Sequence, residues 1–596
     1  MATHHTSSLI VWADGRQLSA RHGAALVWAT VEESGHASAG AEIGFRDPSR
    51  ASLLSSSGIE LGSALKLVAV TPGRSTDLFE GEVTGCEARA AGDDGVFTVI
   101  RAEDGAHRLK RGSRTVAYHQ KSADQIARKL AEDAGLKTGE IDATSVVYEF
   151  LTQPAVSDWE FLHHLARENG CDVFVRAGAL HFTKPARASG APAKGSPARQ
   201  SPFALEYGQN VVKVSSVATL REQVTGVSVR GWDPEQKGPV TAHRSPAAPP
   251  TRDVAWQAGS GVVRGEPLLL VGLSRAAQHE VEQVAEAMAQ EVAAGLTELH
   301  AVVRGEPRLR LRSAVSLTGL GPRFEGRYTV TSVRHEYRAE SGYLTELTVR
   351  EGADRAVAGR VGDGEAGLRR FFGLVPGTVV NIKDPRKQGR VKVELPWLAK
   401  EYESNWARTV QLGGGRQHGV VLPELKDEVL VGFEQGCLDR PYVLGGLFNG
   451  VDKPEPKQSG LELYDGTKGT ANRRSFASKE GHRLELLDAG AQGMGAVLVS
   501  GDGKLRIQLD QHKTVISVRS DGTVEIEAKK EVRVKGEGII LDAGGKTLEL
   551  KGQEVKVSGT QVEMSATADM RVSGSGTVKV KGGALAELSA TIVKIN

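Results

Sequence analysis

The sequence predicts a mainly β protein that ends in a needle of intertwined strands. Three observations point there. Apolar residues recur in pairs two positions apart, every seven or eight residues, along the C-terminal stretch from about Lys504 to Asn596. Glycine is abundant at 71 residues, and aromatic content is only 5%. Many bends and small cores suit thin β elements better than large helical cores.

The C-terminal series begins with Val524 and Ile526, then Val532 and Val534, Leu548 and Leu550, Val555 and Val557, and Val562 and Met564. Met570 and Val572, Val578 and Val580, Ala586 and Leu588, and Val593 and Ile595 continue it, with one double step around Ile540. Each unit is apolar-polar-apolar, followed by a small residue at a bend, as at Gly536, Gly552, Gly559, Gly574 and Gly582. Period-2 alternation gives each strand one buried face, and small residues permit sharp corners. A single-chain β-helix would need three units per turn and a longer repeat of about 24 residues, which is absent. Uniform units fit three chains winding round one axis, each supplying one wall at every level. The paired residues from Val524 to Val580 are then the trimer core. At ~4.8 Å per unit, about ten units make a needle on the order of 50 Å long. The unit GIILDAGG breaks step: strict spacing turns Asp542 inward, whereas alternation turns Ile539 and Leu541 inward, so a local slip is expected.

The length of 596 residues allows three to five domains, each able to bury a core. Lys+Arg 75 against Asp+Glu 73 leaves a formal charge of +2, which gives no reason to expect a nucleic-acid partner. Cys86, Cys171 and Cys437 are scattered and odd in number, so a disulfide framework is not expected and a reducing compartment is the default. The start, MATHHTSSLIVWADGRQ, lacks a basic region followed by an apolar run, and no apolar stretch approaches ~18 residues. The expectation is synthesis in the cytoplasm without a signal peptide, with something else carrying the protein outward.

Along the chain, residues 1–110 read as strands such as SLIVWA, ALKLVAV and GVFTVIRAED, separated by Asp14-Gly15, Pro72-Gly73 and Asp94-Gly95. Ser122-Ala-Asp-Gln125 and Ser157-Asp-Trp-Glu160 are capping boxes that open two helices, with Gly135 and Gly170 past their ends. Residues 186–202, ARASGAPAKGSPARQSP, read as an exposed low-complexity loop, and 242–263 as another. Ser274 to Ala294 is the longest helical pattern, and strands resume to about residue 350. A polar Gly-rich linker spans 351–371. Residues 372–452 hold five strands with tight Gly and Pro corners, as in a small closed barrel of the OB type. A second linker covers 453–473, and 474–596 is the needle.

The order DLFEGEVTGCE, HRLKRGSRT, QPAVSDWEFLHHLARENGCDVFVRAGALHF and GPRFEGRYTVTSVRHEYRAESGYLT resembles the hub of VgrG and phage late-control proteins. The resemblance covers roughly residues 10–350. It implies a hub of β-barrels that trimerises into a ring of six-fold pseudosymmetry and docks on a hexameric tube. The barrel is similar to the spike-base OB domain of that family through Lys383-Asp384-Pro385, Gly389-Arg390-Val391-Lys392-Val393, Pro396-Trp397, Trp406-Ala407-Arg408, Leu422-Pro423-Glu424, Asp427-Glu428-Val429-Leu430-Val431 and Arg440-Pro441-Tyr442-Val443-Leu444-Gly445. The family implies a mechanical role as the central spike of a contractile injection system, type VI or extracellular. It also implies a homotrimer with a hexameric inner tube protein, baseplate proteins and possible effector cargo as partners. A PAAR-type tip protein would meet Val593, Ile595 and Asn596, and the target membrane would be touched only in transit. After His512 the chain has no histidine, so a histidine-held metal at the tip is not carried over.

No catalytic, cofactor or metal residue is assigned. His163-His164 with Glu160 invites a zinc reading, yet adjacent histidines diverge by ~100° on a helix, so a helix surface is expected. Gly544-Gly-Lys-Thr547 mimics the end of a phosphate loop, but residue 540 is isoleucine and no helical pattern follows. Arg108, Lys110, Arg111 and Arg114 read as a solvated edge or interchain contact, Cys437 as a loop residue, and Trp397 and Trp406 as barrel packing. The alternative is a trimeric tail-spike enzyme degrading surface polysaccharide, which needs paired carboxylates. Glu525, Glu527, Glu549 and Glu563 are available, but they alternate with lysine as on a solvated face.

Overall fold

A computed structural model describes residues 7–595 apart from 36, 48–51, 72, 92–94, 257–261, 272–274, 351–367, 415–418 and 459. The turns at Pro72 and Asp94, most of the first linker, the helix start at Ser274 and the terminal Asn596 fall outside the described residues. The chain divides into two compact units, Met1–Pro454 and Glu455–Asn596.

The first unit is built on an eleven-stranded sheet. Its N-terminal part is antiparallel, from Ser8–Ala13 beside Ala64–Thr71 to Ala37–Arg46 beside Gly95–Glu103. Alternation turns Ile43, Phe45, Leu65, Leu67 and Ile100 into one core, as period-2 patterning requires. The sheet continues because Leu26–Ser34 pairs antiparallel with Ser332–Arg338 over a sequence gap of about three hundred residues. That strand carries the sheet on to Gly342–Val349, Thr297–Arg304 and Val211–Ala218, whose inward Leu299, Ala301, Val333 and Leu347 form a second core. At the junction Glu33 is buried. It forms an ion pair with Arg310 and accepts the Leu311 N–H at 2.9 Å. His335 lies fully buried beside it, where burial pushes its imidazole down to about 4, so it is neutral.

A helical lobe sits between these halves in sequence. Both capping boxes form: Ser122 N–H donates to Gln125 Oε1 at 3.2 Å, and Ser157 N–H donates to Glu160 Oε2 at 2.8 Å. The helices they open, Ala123–Asp133 and Asp158–Asn169, bury Ile126, Leu130, Phe161 and Leu165 in a shared core. Gly170 ends the second helix in a left-handed conformation with φ 58°. The longest helix runs Gln278–Ala294, beginning later than its sequence pattern, and packs on the hairpin Val227–Asp233 and Gly238–Arg244. Residues 186–202 are not the free loop expected. Ala188 and Ala191 are buried, Ala188 N–H donates to Pro250 O at 2.9 Å, and Thr329 Oγ1 donates to Ala186 O at 2.8 Å.

The OB segment forms a five-stranded sheet of Lys392–Glu394, Leu374–Asn381, Glu428–Phe433, Pro441–Gly446 and Arg408–Thr409, in that order. Val379, Val391, Val393, Val429, Val431 and Val443 fill its centre.

The second unit differs from one continuous needle. Short paired strands, Lys457–Gln458 with Leu461–Glu462 and Tyr464–Asp465 with Thr470–Ala471, occupy the expected linker. Arg473–Ala477, Arg483–Asp488, Met494–Val499, Leu505–Asp510 and Val515–Ser520 then form an antiparallel meander within the chain. Beyond it, described residues 521–595 form no ladder with any part of the chain.

Candidate functional site

The described residues hold no group of His, Cys, Asp or Glu that could ligate a metal. Two exposed apolar surfaces are the candidates for function. The clearest is the stretch without a ladder. Unit by unit, where both members are Val, Ile, Leu or Met, the first of each pair, Val524 through Val593, is 50–56% exposed and the second is 63–87%. This repeated difference shows one geometry applied at every unit. Ile539 at 54% and Leu541 at 65% obey it, whereas Ile540 at 91% points away. The expected slip is taken up by a turn in which Lys546 N–H donates to Ala543 O at 3.0 Å and Gly544 N–H to Asp542 Oδ1 at 2.8 Å. Gly544 and Gly545 have φ of 55° and 80°, a left-handed conformation natural to glycine, so Gly-Gly-Lys serves a bend. So many exposed Val, Ile, Leu and Met side chains beside backbone in no ladder make the kind of surface that another chain can cover.

The meander offers a second apolar face that the sequence reading merged into the needle. Leu484, Leu498, Ile507 and Val518 stand opposite one another on successive strands, and all four are exposed. Leu486, Leu509 and Ile516 form a parallel row on the same face. The opposite face buries Leu487, Val497 and Val499 under Leu461. Alternation on both sides of each hairpin was the available signal, hidden by the similar alternation that follows.

In the first unit the OB barrel is seated on the helical lobe. The Lys383-Asp384-Pro385 turn is closed by Asp384, which accepts Arg390 Nη2 at 2.7 Å and backbone N–H groups of Gln388 at 2.7 Å and Arg386 at 3.0 Å. Burial opposes ionisation there, but these donors win and hold the carboxyl well below the usual range. The turn aims Arg386 at Glu149 at 2.9 Å and Glu235 at 2.7 Å, both exposed pairs of small energetic weight. The buried contact is Tyr402 OH with Thr152 Oγ1 at 3.0 Å. Beside it, burial raises Asp439 to about 6 and hydrogen bonds from Thr152 only partly offset this. The folded carboxyl thus holds its proton more tightly than the unfolded one, which titrates near 3.8. This contribution to stability is full below pH 3.8 and is lost as pH rises through about 6. Asp439→Asn is expected to flatten the fall in melting temperature between pH 4 and 7, a difference on the order of 2 kcal/mol. Parallel melting curves for parent and variant across that range would count against it.

The chemical candidates are not brought together. Glu160 is spent in its capping box. His163 packs its ring against Trp159 at 4.6 Å, while His164 turns to Glu168 at 3.4 Å. The pair is therefore not the solvent-facing surface expected, because Arg275 closes over Glu168 at 2.6 Å and buries that corner. Two of the four basic residues meet acids, Arg108 with Glu82 and Arg114 with Asp158 at 2.8 Å and Asp133 at 3.2 Å, while Lys110 donates to Ser38 Oγ at 2.8 Å. Trp397 donates to Pro376 O at 3.0 Å, and Trp406 lies under Arg390 and Lys392. Cys437 lies in the bend after Glu434–Gly436, its N–H donating to Glu434 O at 2.9 Å. Glu525, Glu527, Glu549 and Glu563 all lie exposed along the stretch that forms no ladder.

Comparison with known proteins is consistent with a surface built for assembly. The model of the Alg8 N-terminal domain family matches residues 6–339, more than half of the chain. That of the type VI secretion system/phage-baseplate injector OB domain matches 375–448. The type VI secretion system spike protein VgrG5 of Pseudomonas aeruginosa is 29% identical over 137 residues, 21% of this chain and 17% of that protein. The spike protein VgrG3 of Vibrio cholerae is 31% identical over 138 residues, 21% of this chain and 13% of that protein. The matched stretch thus spans less than a fifth of either relative. Among solved structures, the half-lidded Francisella PdpA–VgrG complex aligns with a TM-score of 0.54 at 10% identity, covering 87% of this chain and 88% of that one, a likeness of fold.

Proposed function

We propose, from the premise that this chain belongs to the Alg8 N-terminal domain family and to the VgrG-like spike proteins of contractile injection systems, that it works mechanically as the trimeric point of such a machine. The observation that carries this reading is the run 521–595, which repeats one apolar pair and forms no strand ladder with the described residues of its own chain. Three copies would close it into a prism whose backbone bonds run between chains and whose interior is dry. Continuous cross-linking along ~50 Å resists buckling when the point is driven through an envelope. The hub would cap a hexameric tube among baseplate proteins. A small tip protein would meet Val593, Ile595 and Asn596, the first two of which expose apolar side chains that a partner could cover. Effector cargo would travel with that tip, and the chain itself would perform no catalysis. No helix among the described residues is long and apolar enough to cross a membrane. The target membrane would be touched only in transit.

Sedimentation of the full-length chain is expected to give three times 63.4 kDa at all concentrations where it remains soluble. A stable, folded monomer would sink the architecture. Reducing sugar ends released from surface polysaccharide by the purified protein would instead favour the tail-spike enzyme.

A further inference from the structure

A needle of near-identical apolar units has a register problem that its interior cannot solve. In the trimer proposed above, on which this inference rests, each chain steps to the next wall with each unit. One unit therefore stacks against the following unit of a second chain. A slip by one more unit would leave the interior equally filled.

The outward positions are not equivalent. Between the two apolar residues stand Glu525 and then Arg533; after Ile540 come Glu549, Lys556, Glu563 and Arg571. Lys579, Glu587 and Lys594 finish that column. The position after each pair carries Glu527, Lys535, Asp542 and Lys551 before giving way to serine at Ser558. Six of the seven charged steps in the first column and all three in the second join opposite signs, Arg571 to Lys579 being the exception. A further slip would join like signs at three of the six charged steps in the first column, among them Glu549 beside Glu563 and Lys556 beside Arg571, and at both in the second, Glu527 beside Asp542 and Lys535 beside Lys551. Among the described residues 521–595, the ion pairs join residues two apart on the same segment, as Arg533 with Glu531 and Lys556 with Glu554, both at 2.9 Å. Among the described residues Glu525, Glu563 and Glu587 have no ion-pair partner in their own chain.

We propose that these two columns are a register code read by a second copy of this chain. Held one unit out of step, the neighbour stacks opposite charges at nine of the ten charged steps; slipped one unit further, only three of eight remain opposite. Opposite charges directly across a ladder stabilise it and like charges destabilise it, so many small terms of one sign select one alignment. Ile540, the neutral position, falls in the unit whose spacing to the next is nine residues, where the alternation changes phase.

The test is a double-mutant cycle on the full-length chain with Glu525→Arg, Arg533→Glu and the two combined. Each single change is expected to lower the trimer dissociation midpoint at low salt, by about 3 °C or more. The combination should recover at least half of the summed loss, and 1 M salt should shrink all the differences through screening. Losses that simply add, in a chain that still sediments as a trimer, overturn the code. A parent that sediments as a monomer overturns the trimer itself.

Discussion

Val557→Asp is expected to abolish the assembled needle, whereas Ser558→Asp leaves it intact. In the single chain Val557 is exposed and belongs to the second member of its pair, the same place occupied by Val534, Leu550 and Met564. If three chains close round one axis, three aspartates meet at one level in a dry interior. Each loses packing, and the cluster must either protonate or hold like charges together, at a cost of several kcal/mol per trimer, roughly 3 or more. Ser558 is the next residue and turns outward, where a new carboxylate faces water with Lys551 in the neighbouring unit. Resistance to dissociation in SDS, read on a gel with and without heating, separates the two. Equal resistance would show that the inward register is wrong.

Arg275→Met is expected to destabilise the first unit by about 3–5 kcal/mol, because it strands a buried carboxylate. Glu168 and Arg275 have side chains only 11% exposed, and their contact joins residues 107 apart in sequence. Burial alone would push the Glu168 carboxyl up. Arg275 and His164 outweigh burial and hold it below its ordinary value. The Arg275 guanidinium also lies over the Tyr148 ring at 5.4 Å, so its removal costs packing as well. Replacing both partners, Glu168→Leu with Arg275→Met, should recover most of the loss, since no charge is then left without its counterion. Chemical denaturation of the three variants gives the comparison. A double variant no more stable than the single would place the energy in the Tyr148 contact rather than in the ion pair.

Much of this protein is written locally. The pairs from Val524 to Ile595 state their own period, and side-chain direction in an extended chain follows from alternation alone. Ser122 with Gln125 and Ser157 with Glu160 open their helices as the sequence indicates, because a capping box is complete within four residues. Gly170 stops its helix for the same local reason, and the Asp384 turn of the barrel is closed by donors only two to six residues away.

What the tertiary structure alone decided lies across long gaps. His163 and His164 sit on a helix whose pattern suggested an open surface; the distant Arg275 covers Glu168 and closes it. Residues 186–202 have the composition of a loop, yet hydrogen bonds from Thr329 and to Pro250 pin them down. The strands of Arg473–Ser520 alternate much like those of the needle, but only the former pair within their own chain. A sequence records which faces are apolar and where a chain can bend. Which apolar face meets which is settled by packing between residues remote in sequence, and the closure entropy of such contacts leaves no local signature.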